Sequence, residues 1–188
     1  MENCMIWQDT ARLDSDDIEF ILERVGGLEL CPGEVGSEES ENFGYDKEVR
    51  RCLVAEVQDL DILDMCDRFF AEANSVMGVN YDRCSEIVYI EYHGSEDSSE
   101  AGFYDWHMDI EETKFFQTER KISMTIQLSD SDEYEGCDLE FGHVEPDIDQ
   151  RERGTVIAFP SYFHHNVTPC TKGVRKCLVA WANGPLWR

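Results

Sequence analysis

Basic residues are scarce in this sequence. Its 188 residues include 16 lysines and arginines against 41 aspartates and glutamates, which gives a formal net charge of −25. So negative a protein repels phosphate backbones and anionic lipid, and we therefore expect neither nucleic acid nor a membrane as a partner. The same charge would suit a salty habitat, a basic substrate or partner, or solubility alone, and charge does not choose among these.

Long apolar runs and an export signal are also missing. No stretch reaches the roughly 18 apolar residues of a membrane-spanning helix. The first residues, Met1 to Cys4, lack the basic region and apolar core of a signal peptide. We therefore expect a cytoplasmic protein.

The eight cysteines are scattered, and no CxxC pair occurs among them. In a chain without an export signal, this distribution predicts reduced thiols that fill core space rather than disulfides. The composition, 41% hydrophobic and 11% aromatic, excludes disorder for most of the length. We expect a single domain over residues 1–188, with about 70% of the unfolded surface buried.

Apolar periodicity predicts two helices and then a series of strands. Apolar residues recur at three and four positions over 13–25 and over 58–77, and a Gly-, Ser- and Glu-rich segment at 31–48 predicts a surface loop between these helices. Strand patterns follow at 86–92, 102–110, 121–129, 137–141, 154–160 and 174–183. This order predicts an α+β, mainly β fold, with helices packed against an antiparallel sandwich or barrel.

Candidate metal ligands lie in two separate segments. His107 and Asp109 are two residues apart on a predicted strand, so both side chains leave the same face. His164 and His165 come much later, after an apolar strand and a proline turn. Two imidazoles and one carboxylate form the facial triad that suits non-haem iron(II), and they suit zinc as well. Structural histidines without a metal remain the alternative.

Arg175 lies ten residues after His165, at the start of a strong apolar strand. A cation that enters an apolar interior needs an anionic partner. That partner is either a carboxylate of the chain or a carboxylate of a ligand, which the guanidinium would grip in a bidentate manner.

The order of YDWHMD, ISMTIQLSDSDEYEGCDLEF and GTVIAFPSYFHHNVTPCTKGVRKCLVAW resembles the iron(II)/2-oxoglutarate-dependent dioxygenase superfamily, in its prolyl 4-hydroxylase-like branch. The resemblance spans about residues 80–188, and more loosely the helix at 58–77. It implies a double-stranded β-helix, the jelly-roll or cupin-like barrel, flanked by N-terminal helices. Helical support would occupy about 13–78 and the catalytic barrel about 80–188.

The resemblance also implies a role for individual residues. His107, Asp109 and His165 would bind iron, since the family pattern FPSxxxHxVxP selects His165 over His164. Arg175 would pair with the distal carboxylate of 2-oxoglutarate. Further residues that the resemblance associates with the co-substrate or the active-site wall are Tyr92, Gln127, which replaces a tyrosine of some relatives, and Trp181. The implied cofactors are Fe(II), 2-oxoglutarate and O2, with ascorbate as a candidate accessory reductant.

The implied activity is hydroxylation of an unactivated C–H bond, with a prolyl residue of a protein or peptide as the favoured substrate. A free amino acid or another small metabolite is the alternative substrate, and a non-catalytic metal-binding barrel or a zinc hydrolase is the alternative function. The segments 31–48 and 94–102 are candidates for a substrate lid, or are surface loops without that role.

Overall fold

The computed structural model describes residues 5–35, 44–110, 112–113, 118–142 and 149–186. Two helices, α1 (Ser15–Val25) and α2 (Leu60–Met77), precede most of the strands. The strands are β1 (Trp7–Asp9), β2 (Cys31–Pro32), β3 (Arg50–Arg51), β4 (Leu53–Glu56), β5 (Arg83–His93), β6 (Phe103–His107), β7 (Glu112–Thr113), β8 (Thr118–Gln127), β9 (Tyr134–Gly136), β10 (Leu139–Phe141), β11 (Val156–Pro160), β12 (His165–Val167) and β13 (Cys170–Pro185).

Both helices begin at an aspartate that caps the free backbone N–H groups of the first turn. The Asp14 side chain accepts from the backbone of Asp16 and Asp17, and the Asp59 side chain accepts likewise at the start of α2. Helix α2 ends at Gly78, whose φ of 64° is a left-handed conformation that glycine adopts without strain. The helix boundaries therefore follow from local sequence.

The strands form two sheets. The larger sheet has nine strands, seven of them in the order β1-β11-β8-β13-β5-β4-β2, with β7 added on β8 and β9 on β13. The smaller sheet has the order β10-β12-β6-β3. Strand β13 lies at the centre, because it pairs antiparallel with β5 on one side and with β8 on the other.

Side chains of β13 point alternately into two different apolar cores. Leu178, Ala180 and Ala182 join the core that the helices cover. Cys177 belongs to a second core with residues of the smaller sheet, so the two sheets face one another across it. Because side chains alternate along a strand, Arg175 shares the inward face of Cys177. The functional side chains of β13, Arg175 among them, therefore lie in the barrel interior.

The predicted fold class, mainly β with N-terminal helices, is confirmed. Each predicted strand segment contains a strand, but the one over 102–110 ends at His107, because the backbone N–H of Asp109 donates to the carbonyl of Ser161 instead of continuing the ladder. The short strands β1 to β4 were not predicted. The segment predicted as a loop over 31–48 begins with β2, and residues 36–43 of it lie outside the described residues.

The cysteines of the described residues are all free thiols. Six of them are buried, as predicted: Cys52, Cys66, Cys84, Cys137, Cys170 and Cys177. The prediction of a core role is wrong for Cys31, which is exposed on the edge strand β2. Cys4 lies outside the described residues.

Among the residues that the structure describes, no helix is both long enough and apolar enough to cross a bilayer.

The helical layer should make a large contribution to stability. Phe70 of α2 is completely buried against the larger sheet, so Phe70→Ala is expected to lower the free energy of unfolding by about 3–5 kcal/mol through lost burial and a new cavity. Chemical denaturation followed by circular dichroism measures this change. Val76→Ala is the matched control, because Val76 is exposed on the same helix and its loss should cost less than about 0.5 kcal/mol.

Candidate metal centre and its pocket

Two neighbouring strands of the smaller sheet bring the candidate metal ligands together. His107 of β6 lies directly opposite His165 of β12 in the antiparallel register, and Asp109 follows two residues after His107. Nε2 of His107 is 3.4 Å from Oδ1 of Asp109, and Nε2 of His165 is 3.6 Å from Oδ2. One ligand atom from each residue lies within 4.8 Å of the other two. These distances allow one ion to contact all three residues.

Both imidazoles are oriented by a backbone carbonyl. Nδ1 of His107 lies 2.7 Å from the carbonyl oxygen of Asp105, and Nδ1 of His165 lies 2.9 Å from that of Phe163. A proton on Nδ1 satisfies each of these bonds and leaves the lone pair on Nε2. Nε2 is the atom that each ring presents to Asp109, so both side chains offer a metal the correct nitrogen.

The charges of the buried ligands also suit a cation. Burial alone would raise the pKa of Asp109, but the imidazoles of His165 and His107 outweigh it and hold this pKa well below its usual range. Burial lowers the pKa of His165, although Asp109 opposes this effect. The three residues therefore offer an ionised carboxylate and a neutral buried imidazole, which are the forms that bind metals.

His164 has a different environment from its neighbour. Its ring packs against the indole of Trp106, with the ring centroids 5.2 Å apart, and its side chain is exposed. The group of three metal-ligating side chains found among the described residues includes His165 and not His164. His164 lies directly before β12, outside the strand whose register places His165 opposite His107.

Tyr104 contacts the centre and Arg50 contacts Tyr104, and the sequence analysis missed both residues. The ring of Tyr104 stacks on the imidazole of His107, with centroids 3.5 Å apart and an interplanar angle of 15°. The guanidinium of Arg50 lies 4.7 Å from the centroid of the Tyr104 ring. Tyr104 lies on the same predicted strand as His107, which was a usable signal. Arg50 reaches the site only because β3 pairs with β6.

Arg175 lies inside the barrel and has no acidic partner among the described residues. Its side chain is buried, and its Nε donates to Oε1 of Gln127 at 3.0 Å while Nη1 donates to the carbonyl of Cys137 at 3.3 Å. Among the described residues, no carboxylate of the chain forms a salt bridge with Arg175. The first alternative of the sequence analysis, an ion pair within the chain, therefore finds no support in the described structure.

Gln127 orients the guanidinium rather than remaining open to a ligand. Its Nε2 donates to the carbonyl of Ser129 at 3.0 Å and to the hydroxyl of Tyr134 at 3.1 Å, while its Oε1 accepts from Arg175. Both ends of the amide are thus used by the chain. Gln127 is therefore placed to act on a bound ligand through Arg175, whereas direct contact with a co-substrate stays a prediction.

The two predicted aromatic residues both lie in the barrel interior. Tyr92 is buried directly opposite Arg175 in the pairing of β5 with β13. Trp181 is buried on the same strand as Arg175, and the guanidinium of Arg120 lies 4.0 Å from the centroid of its indole. Its Nε1 has no hydrogen-bond partner in the described structure. Arg120 is also among the charges that lower the pKa of Asp109.

The residues present fit the groups that the resemblance implies. Two imidazole nitrogens and one carboxylate, with the remaining directions open, are the donor set of a non-haem iron(II) centre. A buried guanidinium that has no carboxylate partner in the described part of the chain fits an acidic ligand. Metal and dicarboxylate could thus occupy the same interior.

The predicted lid segment at 94–102 is tied to β13 by backbone hydrogen bonds. The N–H of Gly94 donates to Gly173, that of Ser95 donates to Cys170, and that of Cys170 donates to Gly102. These bonds fix the segment at both of its ends. A lid role for it stays a prediction.

Comparison with known proteins gives one family and one fold. The family described as the 2OG-Fe(II) oxygenase superfamily matches residues 89–183. A PKHD-type hydroxylase of Synechococcus sp. (strain CC9902) is 37% identical over 79 residues, which are 42% of this chain and 35% of that protein. The chain thus spans little more than a third of the length of the curated relatives it matches.

Two solved structures share the fold over nearly the whole chain. A prolyl-4-hydroxylase of Pseudomonas putida superimposes with a TM-score of 0.69 at 17% identity, covering 97% of this chain and 93% of the other. A prolyl hydroxylase from Trichoplax adhaerens, in complex with a hypoxia inducible factor peptide fragment, has a TM-score of 0.68 at 16% identity, with coverages of 94% and 82%. The predicted jelly-roll fold is thereby confirmed.

The assignment of ligands can be tested by metal binding alone. His107→Ala, Asp109→Ala and His165→Ala should each weaken Mn(II) binding by more than about 100-fold, because each removes one of three donors. Electron paramagnetic resonance of free Mn(II) during titration measures the affinity. His164→Ala is the matched control and should change it less than about two-fold. Equal losses for His164→Ala and His165→Ala would contradict the assignment.

Proposed function

The chain belongs to the 2OG-Fe(II) oxygenase superfamily, and on that premise we propose that it is an iron(II)- and 2-oxoglutarate-dependent hydroxylase whose substrate is a prolyl residue of a peptide or protein. The observation that carries the proposal is the buried Arg175, which has no carboxylate partner among the described residues and shares an interior with the three candidate metal ligands. A structural metal site would have no use for this charge.

His107, Asp109 and His165 would hold the iron. When bound, iron(II) with 2-oxoglutarate supplies the activation of dioxygen on which hydroxylation of a C–H bond depends. The chain's own part is to fix three ligands on one side and to leave the opposite positions open. The carbonyls of Asp105 and Phe163 keep both rings aimed inward, and the stacked Tyr104 restricts rotation of His107.

Arg175 would bind the far carboxylate of 2-oxoglutarate. Its Nε is held by Gln127 and its Nη1 by Cys137, so the fork is fixed before a ligand arrives. Fixing a charged donor in advance lowers the entropic cost of binding. Tyr92, opposite Arg175 on β5, supplies an aromatic wall to the same pocket.

The surroundings of the centre would keep water away from the reaction. Phe159 packs edge-on against the ring of His165, with centroids 4.7 Å apart, and Phe141 lies behind it. On the other side, Val167 and Ile90 join the core that contains Tyr92. An apolar enclosure strengthens the electrostatic grip of Arg175 and protects a reactive centre from side reactions.

The peptide substrate is supported by the neighbours and by the surface. The two solved structures compared above are prolyl hydroxylases, and one of them is in complex with a peptide. Trp106, Met108 and Ile110 alternate with the candidate metal ligands and are exposed, which gives an apolar surface beside the centre. Exposed apolar groups in one place are typical of surfaces that bind other chains.

The activity is tested by two linked measurements. Protein purified without oxygen should release carbon dioxide from 2-oxoglutarate labelled at its 1-carboxylate when iron(II) and air are added. A panel of proline-containing peptides and free amino acids, analysed by mass spectrometry, should show the gain of one oxygen atom on a peptide. Gain only on a free amino acid would contradict the substrate class. Absence of both signals under saturating iron and 2-oxoglutarate would overturn the enzymatic proposal in favour of a non-catalytic barrel.

Removal of the guanidinium should mainly weaken the binding of 2-oxoglutarate. Arg175→Ala is expected to raise the KM for 2-oxoglutarate by about two to four orders of magnitude, the equivalent of ~3–5 kcal/mol for a buried charged pair. Steady-state kinetics at varied 2-oxoglutarate, with iron saturating, measures the change. Mn(II) affinity should stay the same, which separates loss of the clamp from loss of the metal site.

Gln127 provides the matched pair of variants for the same prediction. Gln127→Ala removes one hydrogen bond to a charged donor and should raise the KM for 2-oxoglutarate by about 10- to 100-fold. Gln127→Glu keeps the shape but gives Arg175 an internal carboxylate, so its KM should rise further than that of Gln127→Ala. An unchanged KM in both variants would show that Gln127 does not act through Arg175.

A further inference from the structure

Four buried cysteines lie in the core between the sheets, and the proposed reaction uses none of their thiols. Cys52, Cys137, Cys170 and Cys177 make up half of the eight buried residues of the core between the sheets. We call this group the cysteine cluster. Free cysteines often serve simply as small apolar side chains, so the cluster needs a closer examination of each thiol's partners.

Cys170 differs from the other members in its hydrogen bonds. Its thiol donates to the carbonyl of Lys172 at 3.5 Å, and its sulfur also lies in contact with the thiol of Cys137 and with the backbone N–H groups of Arg175 and Lys172. The thiol of Cys137 lowers the pKa of Cys170 to about 7 together with these N–H groups, although burial opposes them. Cys170 lies directly before the exposed residues 171–173. A thiolate held in this way is the reactive form of cysteine.

Cys137 has an unusual backbone conformation. Its φ of 60° is left-handed, a region that costs a residue with a Cβ atom about 1 kcal/mol relative to glycine. The conformation is held on both sides, because the N–H of Cys137 donates to the carbonyl of Pro169 at 3.2 Å and its carbonyl accepts from Arg175. In this conformation the thiol of Cys137 lies in contact with that of Cys170. Glycine would remove the strain and the thiol together.

We propose that Cys137 and Cys170 are a redox modification site, in which a small peroxide converts the two thiols into a reversible disulfide. The sulfur of Cys170 attacks one peroxide oxygen and becomes a sulfenic acid, and the other oxygen leaves as water or an alcohol. The thiol of Cys137 then attacks the sulfenic sulfur and displaces a water molecule. Two thiols lose two electrons and two protons in total, and the peroxide accepts both.

The disulfide would weaken the grip on 2-oxoglutarate. Its sulfurs must approach from hydrogen-bonding contact to about 2.0 Å, which pulls on the backbone of Cys137. The carbonyl of this same residue holds Nη1 of Arg175. Loss of one hydrogen bond to a charged group is expected to lower 2-oxoglutarate affinity by about ten-fold. The reduced protein would therefore be the form that binds the co-substrate better.

The modification itself is tested by mass, independently of any activity. The full chain carrying Cys31→Ser, which removes the exposed thiol and with it most intermolecular coupling, is treated with hydrogen peroxide and then with an alkylating reagent. We expect a loss of two hydrogens, a cross-linked peptide that contains Cys137 and Cys170, and reversal by dithiothreitol. Failure to recover that peptide, or recovery of another pair in its place, would overturn the proposal even if the enzyme is active.

The coupling to Arg175 is tested by ligand binding in the same samples. Calorimetric titration of 2-oxoglutarate into the Mn(II)-loaded protein should give about ten-fold weaker binding after oxidation. Cys137→Gly should be insensitive to peroxide, and it should unfold at a higher temperature because the left-handed position is relieved. Cys177→Ala is the matched control, since it removes a thiol of the same cluster and should keep the response. Equal sensitivity of Cys137→Gly and the parent protein would contradict the coupling.

Discussion

The burial of one positive charge organises the interior of this protein. Arg175 lies on the central strand β13, inside the barrel, and the described chain gives it a side-chain amide and a backbone carbonyl but no carboxylate. A buried cation with only neutral partners is unfavourable unless something else compensates. A bound anion beside Arg175 would therefore stabilise the interior of the barrel. This constraint accounts for the amide of Gln127, which holds the guanidinium without neutralising it.

Because the chain is strongly acidic, the absence of a carboxylate beside Arg175 among the described residues is a specific feature of the interior. With 41 carboxylates in the sequence, a partner for Arg175 would be easy to supply. Other cations are paired in this way on the surface, such as Arg151 with Asp138 and Arg153 with Asp130. Inside the barrel the chain places Asp109 against two imidazoles instead. Two acidic side chains of the described residues are therefore buried: Asp109 lies against the imidazoles, and Glu119 pairs with the buried Lys121.

Much of the fold and of the site follows from local sequence, and the rest depends on pairings between distant segments. The helices, the long strands and the placement of His107, Asp109 and His165 follow from periodicity, caps and family motifs. The short strands β3 and β4 have too few residues for a period, so Arg50 could not be placed near Tyr104. The bonding of Gln127 depends on Tyr134, which only the folded chain brings near. Cys31 is exposed because its strand is an edge strand of two residues.

Cys137 illustrates the difference between what the local sequence predicts and what only the folded chain shows. The sequence shows only that Cys137 follows Glu135 and Gly136. The structure adds that the position is left-handed, that its carbonyl contacts Arg175 and that its thiol contacts Cys170. Glycine would adopt the left-handed conformation without strain, and any residue would offer a backbone carbonyl to Arg175. Only cysteine can make the thiol–thiol contact with Cys170, so this contact is the feature that distinguishes cysteine from glycine at this position.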